Sequence, residues 1–340
     1  MSHPSRLTWE KITLKLRNPF RISYGVSETR QAFWIRLADD CGWGEGTIPP
    51  YYGVDQNEMI ACWERASRSD RPFPDDPQEV PDWIGQDGPA PARSALELAL
   101  YDRIARQREL PLYQLLGLPR PSPKATSFTI AIDTPNEMAR MAKDILDYPI
   151  IKLKLGGAGD EARLAAVRSA RPDARLRVDP NAGWSRRETL DRIPTLERYN
   201  LEVFEQPLDR NDIEGLGIVQ AHTSITVVAD ESVRSLEDVD RLGEAGVKGL
   251  NVKLMKVGGL TNALKIIQHG RAYGMKIMLG CMIETSIGIT AMAALAGLAD
   301  WLDLDAPLLV SNDPFEGVTF DKNANICVPE RPGIGAVLKQ

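Results

Sequence analysis

The chain is poor in soft metal ligands: its 340 residues include only 4 cysteines and 3 histidines. Cys41, Cys62, Cys281 and Cys327 follow neither a zinc nor a disulfide spacing. That excludes a cysteine-framed metal module and a stapled secreted fold, and it fits a reducing, cytoplasmic setting. Long apolar runs are missing as well. No stretch approaches the ~18 uncharged apolar residues of a membrane-spanning helix. The opening MSHPSRLTWEK lacks the apolar core of a secretion signal. Nor is there an excess of positive charge. With 41 Lys and Arg against 47 Asp and Glu the net charge is -6, so no basic field invites nucleic acid or an anionic membrane. What remains is 43% hydrophobic and 26% charged, an ordinary globular composition over a length suited to about two domains. Small-molecule chemistry is the expectation.

Between about residues 127 and 305 an apolar run returns every 23 to 26 residues, starting near Ser127, Ile150, Arg175, Leu201, Thr226, Leu250, Lys276 and Trp301. That interval holds one strand and one helix. Asp160 to Ala170, with Leu164, Ala165 and Val167 apolar and Arg163 and Arg168 outward, is such a helix. Parallel strands covered by helices close most readily into a (β/α)8-type barrel, whose βα loops gather at one mouth. The residues at the C-terminal strand ends are therefore the candidates for chemistry.

Those ends carry Lys152 and Lys154 in IIKLKL, Asp179 in LRVDPNAGW, Glu205 in EVFEQPL, Asp230 in TVVADES and Lys253 in LNVKLMKVGG. They continue with Cys281 to Glu284 in LGCMIETS, and Asp303 with Asp305 in WLDLDAP. An Asp at a strand end, taken singly, reads as a turn or a helix N-cap. Three carboxylates in consecutive units need a counter-ion, and oxygen ligands without His or Cys describe a hard divalent cation, best Mg2+. Lys152 and Lys154 are two apart and so share a strand face. Burial near a cation is expected to lower a lysine's pKa toward that of a usable base. Lys256 competes with Lys253 for the sixth strand, but it precedes Gly258 and Gly259 and belongs in the loop. Lysines on the second and sixth strands would flank the metal from opposite sides. One would take a proton from a carbon α to a carboxylate while the other returns it to the opposite face, the metal stabilising the enolate between them.

In this order the set KxK, D, E, D, K resembles the enolase superfamily, muconate lactonising subgroup, over nearly the whole chain. The resemblance implies an α/β fold, a modified (β/α)7β TIM-type barrel with an N-terminal α+β capping domain. It implies that Asp179, Glu205 and Asp230 hold one Mg2+ per chain, that Lys154 and Lys253 are the acid/base pair, and that Lys152 lowers the pKa of Lys154 and supports the substrate carboxylate. LGCMIETS and DLDAP resemble the dipeptide epimerases, where an Asp-x-Asp pair recognises the N-terminal ammonium, the role this gives to Asp303 and Asp305. Cys281, Met282 and Glu284 are expected to line the pocket. His3 is terminal and His222 and His269 fall in expected helices, which argues against the histidine-using branches. Members acting on Ala-Glu carry an arginine in the loop after the first cap strand. In FRISYGVSETR that position falls near Val26 or Ser27, with Arg21 and Arg30 offset. Tyr24 with Val26 fits an apolar or otherwise different side chain at least as well.

The first third of the chain is organised differently. LTWEKITLKL and FWIRLAD alternate as half-buried antiparallel strands do, CGWGEG punctuates a turn, and Ala92 to Gln107 reads as a helix. GLPRPSPK, with Pro119, Pro121 and Pro123, is a stiff linker. The expected domains are a cap over 1–120 and a barrel over 125–313, with the tail 314–340 returning to the cap. Loops around Ser23 to Glu28 and Pro49 to Gly53 would close the mouth. GWGEG lacks the strand-to-helix setting of a nucleotide fingerprint, and VGGL after the sixth strand is a candidate anion-binding helix start. The expected activity is a Mg2+-dependent dipeptide epimerase acting on the α-carbon of the C-terminal residue. Alternatives are β-elimination or cycloisomerisation, as in o-succinylbenzoate synthase or muconate cycloisomerase, a Schiff-base aldolase, and a non-catalytic binding barrel. A dipeptide is the expected partner; a symmetric homo-oligomer is compatible with such barrels, though no surface pattern specifies one.

Overall fold

The computed structural model describes residues 6–49 and 51–340, so His3 and Pro50 lie outside it. The chain begins with an antiparallel sheet of β1 (Leu7–Ile22), β2 (Gly25–Leu37) and β3 (Trp43–Thr47), in the order β1-β2-β3. β1 and β2 form one long hairpin that turns at Ser23–Tyr24, with an irregularity between Lys15 and Phe20. Helices α1 (Gln56–Arg68), α2 (Val80–Ile84), α3 (Ala90–Gln107) and α4 (Leu112–Leu115) follow. CGWGEG, expected as a turn, instead supplies most of β3. Its glycines allow α3 to lie against the strand, because a Cβ on Gly44 would collide with the carbonyl oxygen of Ala95. Strand β4 (Lys124–Ala125) comes after the proline-rich segment.

The remainder is the barrel. Strands β5 (Phe128–Ile130), β6 (Ile150–Lys154), β7 (Arg175–Asp179), β8 (Leu201–Glu205), β9 (Thr226–Ala229), β10 (Gly249–Val252), β11 (Lys276–Gly280) and β12 (Trp301–Asp303) pair in parallel and in sequence. The first and last meet where Ser127 N–H donates to Leu302 O at 3.1 Å, beside a parallel bridge between Thr126 and Leu302. Between the strands run α5 (Pro135–Asp144), α6 (Asp160–Ala170), α7 (Arg186–Arg198), α8 (Ile213–Ala221), α9 (Leu236–Glu244), α10 (Leu254–Val257), α11 (Leu260–Ala272) and α12 (Ser286–Ala293). After β12 only the single turn α13 (Ala306–Leu309) remains. The fold is thus the expected α/β barrel of (β/α)7β form beneath an N-terminal α+β layer. No helix among the described residues is long and apolar enough to cross a membrane.

Local chemistry explains several boundaries. Ser185 and Glu188 form a reciprocal capping box on α7, and Ser235 with Asp238 does the same on α9, each cap stabilising its helix by about 1 kcal/mol. Along the strands the period of two sorts side chains between helices and barrel interior. Leu176, Val178, Phe204, Val227 and Ala229 join the main core under the helices. Val203, Val228, Met278 and Trp301 form a separate apolar cluster. They stand two residues before Glu205, Asp230, Gly280 and Asp303, so they share the inward face and floor the site. Arg177, two before Asp179, is buried with them and bonds Glu202 Oε2 at 2.7 Å and Leu302 O at 2.8 Å.

After β12 the chain turns back to the first sheet. Lys15 N–H donates to Asn312 Oδ1 at 2.7 Å, and Phe315 packs on Trp34 and Trp43. Ile334 N–H reaches Asp102 on α3 at 2.6 Å. Short strands β13 (Phe315–Glu316), β14 (Thr319–Phe320), β15 (Asn325–Cys327) and β16 (Val337–Leu338) complete the chain, with β15 pairing to β4.

Candidate active site

At the C-terminal ends of β7, β8 and β9, Asp179, Glu205 and Asp230 each present an oxygen within 4.8 Å of the others, and all three are buried. Each is fixed by neighbours that leave one side of the cluster open to charge. Asn181 N–H donates to Asp179 Oδ1 at 2.9 Å, Asn251 Nδ2 donates to Glu205 Oε1 at 2.9 Å, and Gln206 Oε1 accepts from Asp230 N–H at 2.8 Å. Glu205 Oε2 accepts no well-directed hydrogen bond, although it pairs with Lys152 Nζ at 2.8 Å. Three buried carboxylates with an underused oxygen and no nitrogen or sulfur donor fit a hard divalent cation of the Mg2+ type.

Four lysines surround the triad. Lys154 lies opposite Asp179 in the β6–β7 register and donates to its Oδ2 at 2.6 Å. Lys253, just past β10, donates to Asp230 Oδ2 at 2.6 Å. Lys152 sits deeper, with Asp303 Oδ2 at 2.7 Å, Glu205 Oε2 at 2.8 Å and Asp179 Oδ2 at 3.0 Å. Lys256, expected in an outer loop, is instead buried in α10. It binds the Asp230 backbone oxygen, Asp230 Oδ1 at 2.5 Å and Asn251 O at 2.9 Å. The reason is geometric: the single turn of α10 brings its side chain back to Asp230, whose other oxygen is taken by Lys253.

Burial alone would lower the lysine pKa values, as anticipated from the sequence. For Lys152 and Lys253 desolvation does pull down, but the carboxylates, Asp303 first for Lys152 and Asp230 first for Lys253, outweigh it and hold both well above the ordinary value. The acids respond in kind. Burial opposes ionisation of Asp230, yet Lys253 and Lys256 hold it well below the usual range, whereas burial and Asp179 lift Glu205 to about 8. Glu231, next to Asp230 and buried, is raised to about 7 by desolvation and Asp230, and its Oε2 has no hydrogen-bond partner among the described residues.

On the far side of the mouth, Asp303 accepts from Ser127 Oγ at 2.5 Å and Asp305 accepts from Thr129 N–H at 2.7 Å. With Lys152, Lys154 and Lys253 these two aspartates line a cavity whose walls include Thr129, Tyr51, Cys281 and Met282. The Cys281 thiol is pushed far up by burial and by Asp305, which disfavours the thiolate. The cavity is narrow, about 50 Å3, well under the ~300–1,000 Å3 of typical ligand sites, because Phe20 and Ile22 of β1, Arg30 of β2, Thr47, Ile48, Pro49 and Tyr51 close around it. Tyr24 stands at the rim, half exposed, stacked on Tyr51 with centroids 4.6 Å apart. A larger cavity of about 590 Å3 lies between α1, the start of α3 and Arg234. Buried Lys256 is the only member of the charged cluster on its wall, so convergent charge, not size, locates the site.

Two expected members behave otherwise. Glu284 does not line the cavity; its Oε1 accepts Met282 N–H at 2.7 Å, and its other oxygen lies toward Gly288 and Glu45. The helix start at VGGL is already filled: Glu97 of α3 accepts from Thr261 N–H at 3.3 Å, so it is no anion site for substrate. Sequence reasoning missed Asn181, Asn251, Glu45 and Glu97. Asn251 was within reach, since it stands two residues before Lys253 and so faces inward by the rule applied to Lys152. Glu45 was not, because its partners Thr285 and Gly288 are remote in sequence.

Residues 136–340 match the family described as Enolase C-terminal domain-like. The chain is 31% identical over 338 residues to the L-Ala-D/L-Glu epimerase of Bacteroides thetaiotaomicron, covering 98% of this chain and 88% of that one. It is 35% identical over 343 residues to the hydrophobic dipeptide epimerase of Enterococcus faecalis, with 95% and 96% covered. Among solved structures, the dipeptide epimerase from Cytophaga hutchinsonii complexed with Mg and the dipeptide D-Ala-L-Val superimposes with a TM-score of 0.90 at 30% identity, covering 98% of this chain and 95% of that one.

Proposed function

Because the chain belongs to the enolase C-terminal domain-like family, we propose that it is a Mg2+-dependent dipeptide epimerase that inverts the α-carbon of the C-terminal residue by a two-base 1,1-proton transfer. The observation that carries this reading is the anchoring of Lys154 and Lys253 on two different outer carboxylates of the triad, each at 2.6 Å. A planar carbon held between them has one amine or ammonium on each face. One lysine, as the free amine, takes the α-proton; the other, as the ammonium, gives a proton to the opposite face, and the roles exchange in the reverse direction. Asp179, Glu205 and Asp230 would hold Mg2+, which when bound supplies positive charge against the negative charge that develops on the substrate carboxylate. Lys152, charged and in contact with three carboxylates, adds to that field. Asp303 and Asp305 receive the N-terminal ammonium, while Met282, Cys281 and Tyr24 bound the space for the peptide.

The narrow cavity supports a cycle in which the loops around Ser23 to Glu28 and Pro49 to Gly53 part to admit the dipeptide and close to exclude water. We assign Glu284 to holding the Met282 backbone. The division into a cap of 1–120 with the tail 314–340, and a barrel of 125–313, is supported by the contacts of Phe315 and Ile334 with the first sheet and α3. Four free cysteines support a cytoplasmic setting, and the net charge of -6 disfavours a nucleic-acid partner.

The test is incubation with Mg2+ in D2O against a library of L,L-dipeptides, followed by mass spectrometry and polarimetry. The expected result is one deuteron at one α-carbon with loss of optical purity. Absence of exchange with every dipeptide would reject the reading in favour of elimination or cycloisomerisation of acids without an amine.

A further inference from the structure

Two buried carboxylates outside the triad meet across the seam between the first sheet and the barrel. Glu45 stands on β3 and Glu284 between β11 and α12, and they are 1% and 2% exposed. Glu45 Oε1 accepts Thr285 N–H at 2.8 Å, and its Oε2 accepts Thr285 Oγ1 at 2.6 Å and Gly288 N–H at 2.9 Å. Glu284 Oε1 accepts Met282 N–H at 2.7 Å, while its Oε2 turns toward Glu45. A Cβ on Gly288 would lie 2.4 Å from Glu284 Oε2 and 3.0 Å from Glu45 Oε2, so the two oxygens face one small space that a glycine leaves open. The surrounding groups do not neutralise both acids. Asp313 of the tail, which accepts Ser286 N–H at 2.8 Å, adds to the repulsion on Glu45. Lys253 favours the charge of Glu284, and the Cys281 thiol also faces that carboxylate. Burial lifts Glu45 to about 7 against its bonds from Thr285 and Gly288, and burial with Glu45 lifts Glu284 to about 8. Two like charges placed together away from water resist joint ionisation, and a single proton relieves them.

We propose that Glu45 and Glu284 hold one proton between them, and that this proton locks β3 to the 281–284 wall of the mouth. The three bonds received by Glu45 favour its ionised form, so the proton resides on Glu284 Oε2 and is directed at Glu45 Oε2. The lock joins two walls of one cavity: β3 runs into Thr47, Ile48 and Pro49, and facing them stand Cys281, Met282 and Ile283. Loss of the proton to water leaves two carboxylates repelling each other across the seam, which loosens the start of α12 and the wall before it. Glu45 and Glu284 are positioning residues, without contact to a reacting carbon. The lock stands whether or not the chain epimerises dipeptides.

The experiment is infrared difference spectroscopy of the full chain in H2O and D2O, wild type minus Glu284→Gln, across the pH range that spans both groups. The expected difference is a protonated-carboxyl band, shifted by deuterium, that is present at about pH 6 and titrates away near pH 8. In the Glu45→Gln background, which keeps the side chain's size and removes its charge, the same band should titrate about 1 pH unit or more lower. A difference spectrum without that band at about pH 6, or a midpoint unmoved by Glu45→Gln, overturns the shared proton. Amide hydrogen exchange in the wild type gives a test that no variant's misfolding can spoil. After correction for the intrinsic rate, protection of the Met282, Thr285 and Gly288 amides should fall by up to about 10-fold per pH unit from about pH 5 to 8 and then level off, because the open form releases a proton that the closed form holds. Protection that is constant over this range refutes the lock.

Discussion

Lys154 and Lys253 are held by the two outermost carboxylates of one triad, Lys154 on Asp179 and Lys253 on Asp230, with Glu205 between them. In the proposed two-base scheme each lysine works on its own face of the substrate. Lys154→Ala and Lys253→Ala should each reduce epimerisation by about 10²- to 10⁴-fold or more. Each variant should still wash deuterium into only one epimer, the one whose α-proton faces the remaining lysine. Proton NMR on the L,L and L,D forms separately would show it; equal residual exchange from both epimers in either variant contradicts the two-base scheme.

Asp303 and Asp305 differ in what else they do. Asp303 also anchors Lys152, whereas Asp305 holds a backbone N–H of Thr129. Asp305→Asn is therefore the cleaner probe of ammonium recognition. It should raise KM, lowering kcat/KM by about 10- to 100-fold, with a smaller change in kcat. Asp303→Asn should lower both, because Lys152 loses a partner. Steady-state kinetics on one dipeptide separates the two.

Chelation of divalent ions should abolish exchange, and restored Mg2+ should raise the Tm. The gain corresponds to about 2.7 kcal/mol when free Mg2+ is 100 times its Kd. Glu205→Gln should blunt that shift while leaving the lysine–aspartate pairs intact. Differential scanning calorimetry with and without EDTA checks it.

Glu97 offers a pH test remote from the triad. Burial raises its pKa from 4.5 to about 7 at the start of α11, despite the Thr261 bonds that favour its charge. A folded-state pKa above the unfolded one means that the folded protein binds more protons between those values. Stability from this group is therefore greatest below about 4.5, falls as pH rises to about 7, and then levels off, the difference being on the order of a few kcal/mol. In Glu97→Gln the decline of Tm between pH 5 and 7 should be shallower than in the wild type. A decline as steep as the wild type's would assign the titration to other groups, Asp102 among them, whose carboxyl burial lifts to about 6.

The barrel was legible because its strands repeat on a fixed interval, and the charged cluster because a rule of alternate residues brings Lys152, Lys154, Asp179, Glu205 and Asp303 from four strand ends together. Strand starts such as Ile150, Arg175, Leu201 and Thr226 coincide with the folded ones. What stayed hidden depended on contact between remote segments. GWGEG reads as a turn until α3 is laid on it, and Lys256 reads as a loop lysine until a one-turn helix folds it under Asp230. Glu45 has no local reason to be buried; its reason is the start of α12, where it accepts Thr285 N–H at 2.8 Å and Gly288 N–H at 2.9 Å.

The hairpin of β1 and β2 contributes Ile22, Tyr24, Val26 and Arg30 to the mouth but no group that moves a proton. Part of the wall around the mouth is consequently written on a ribbon near the start of the chain, whereas the lysines and aspartates of the charged cluster stand on strand ends more than a hundred residues later. A ribbon that drifts in sequence can change what the enzyme accepts while the inversion machinery stays untouched, so new preferences can arise without an inactive intermediate.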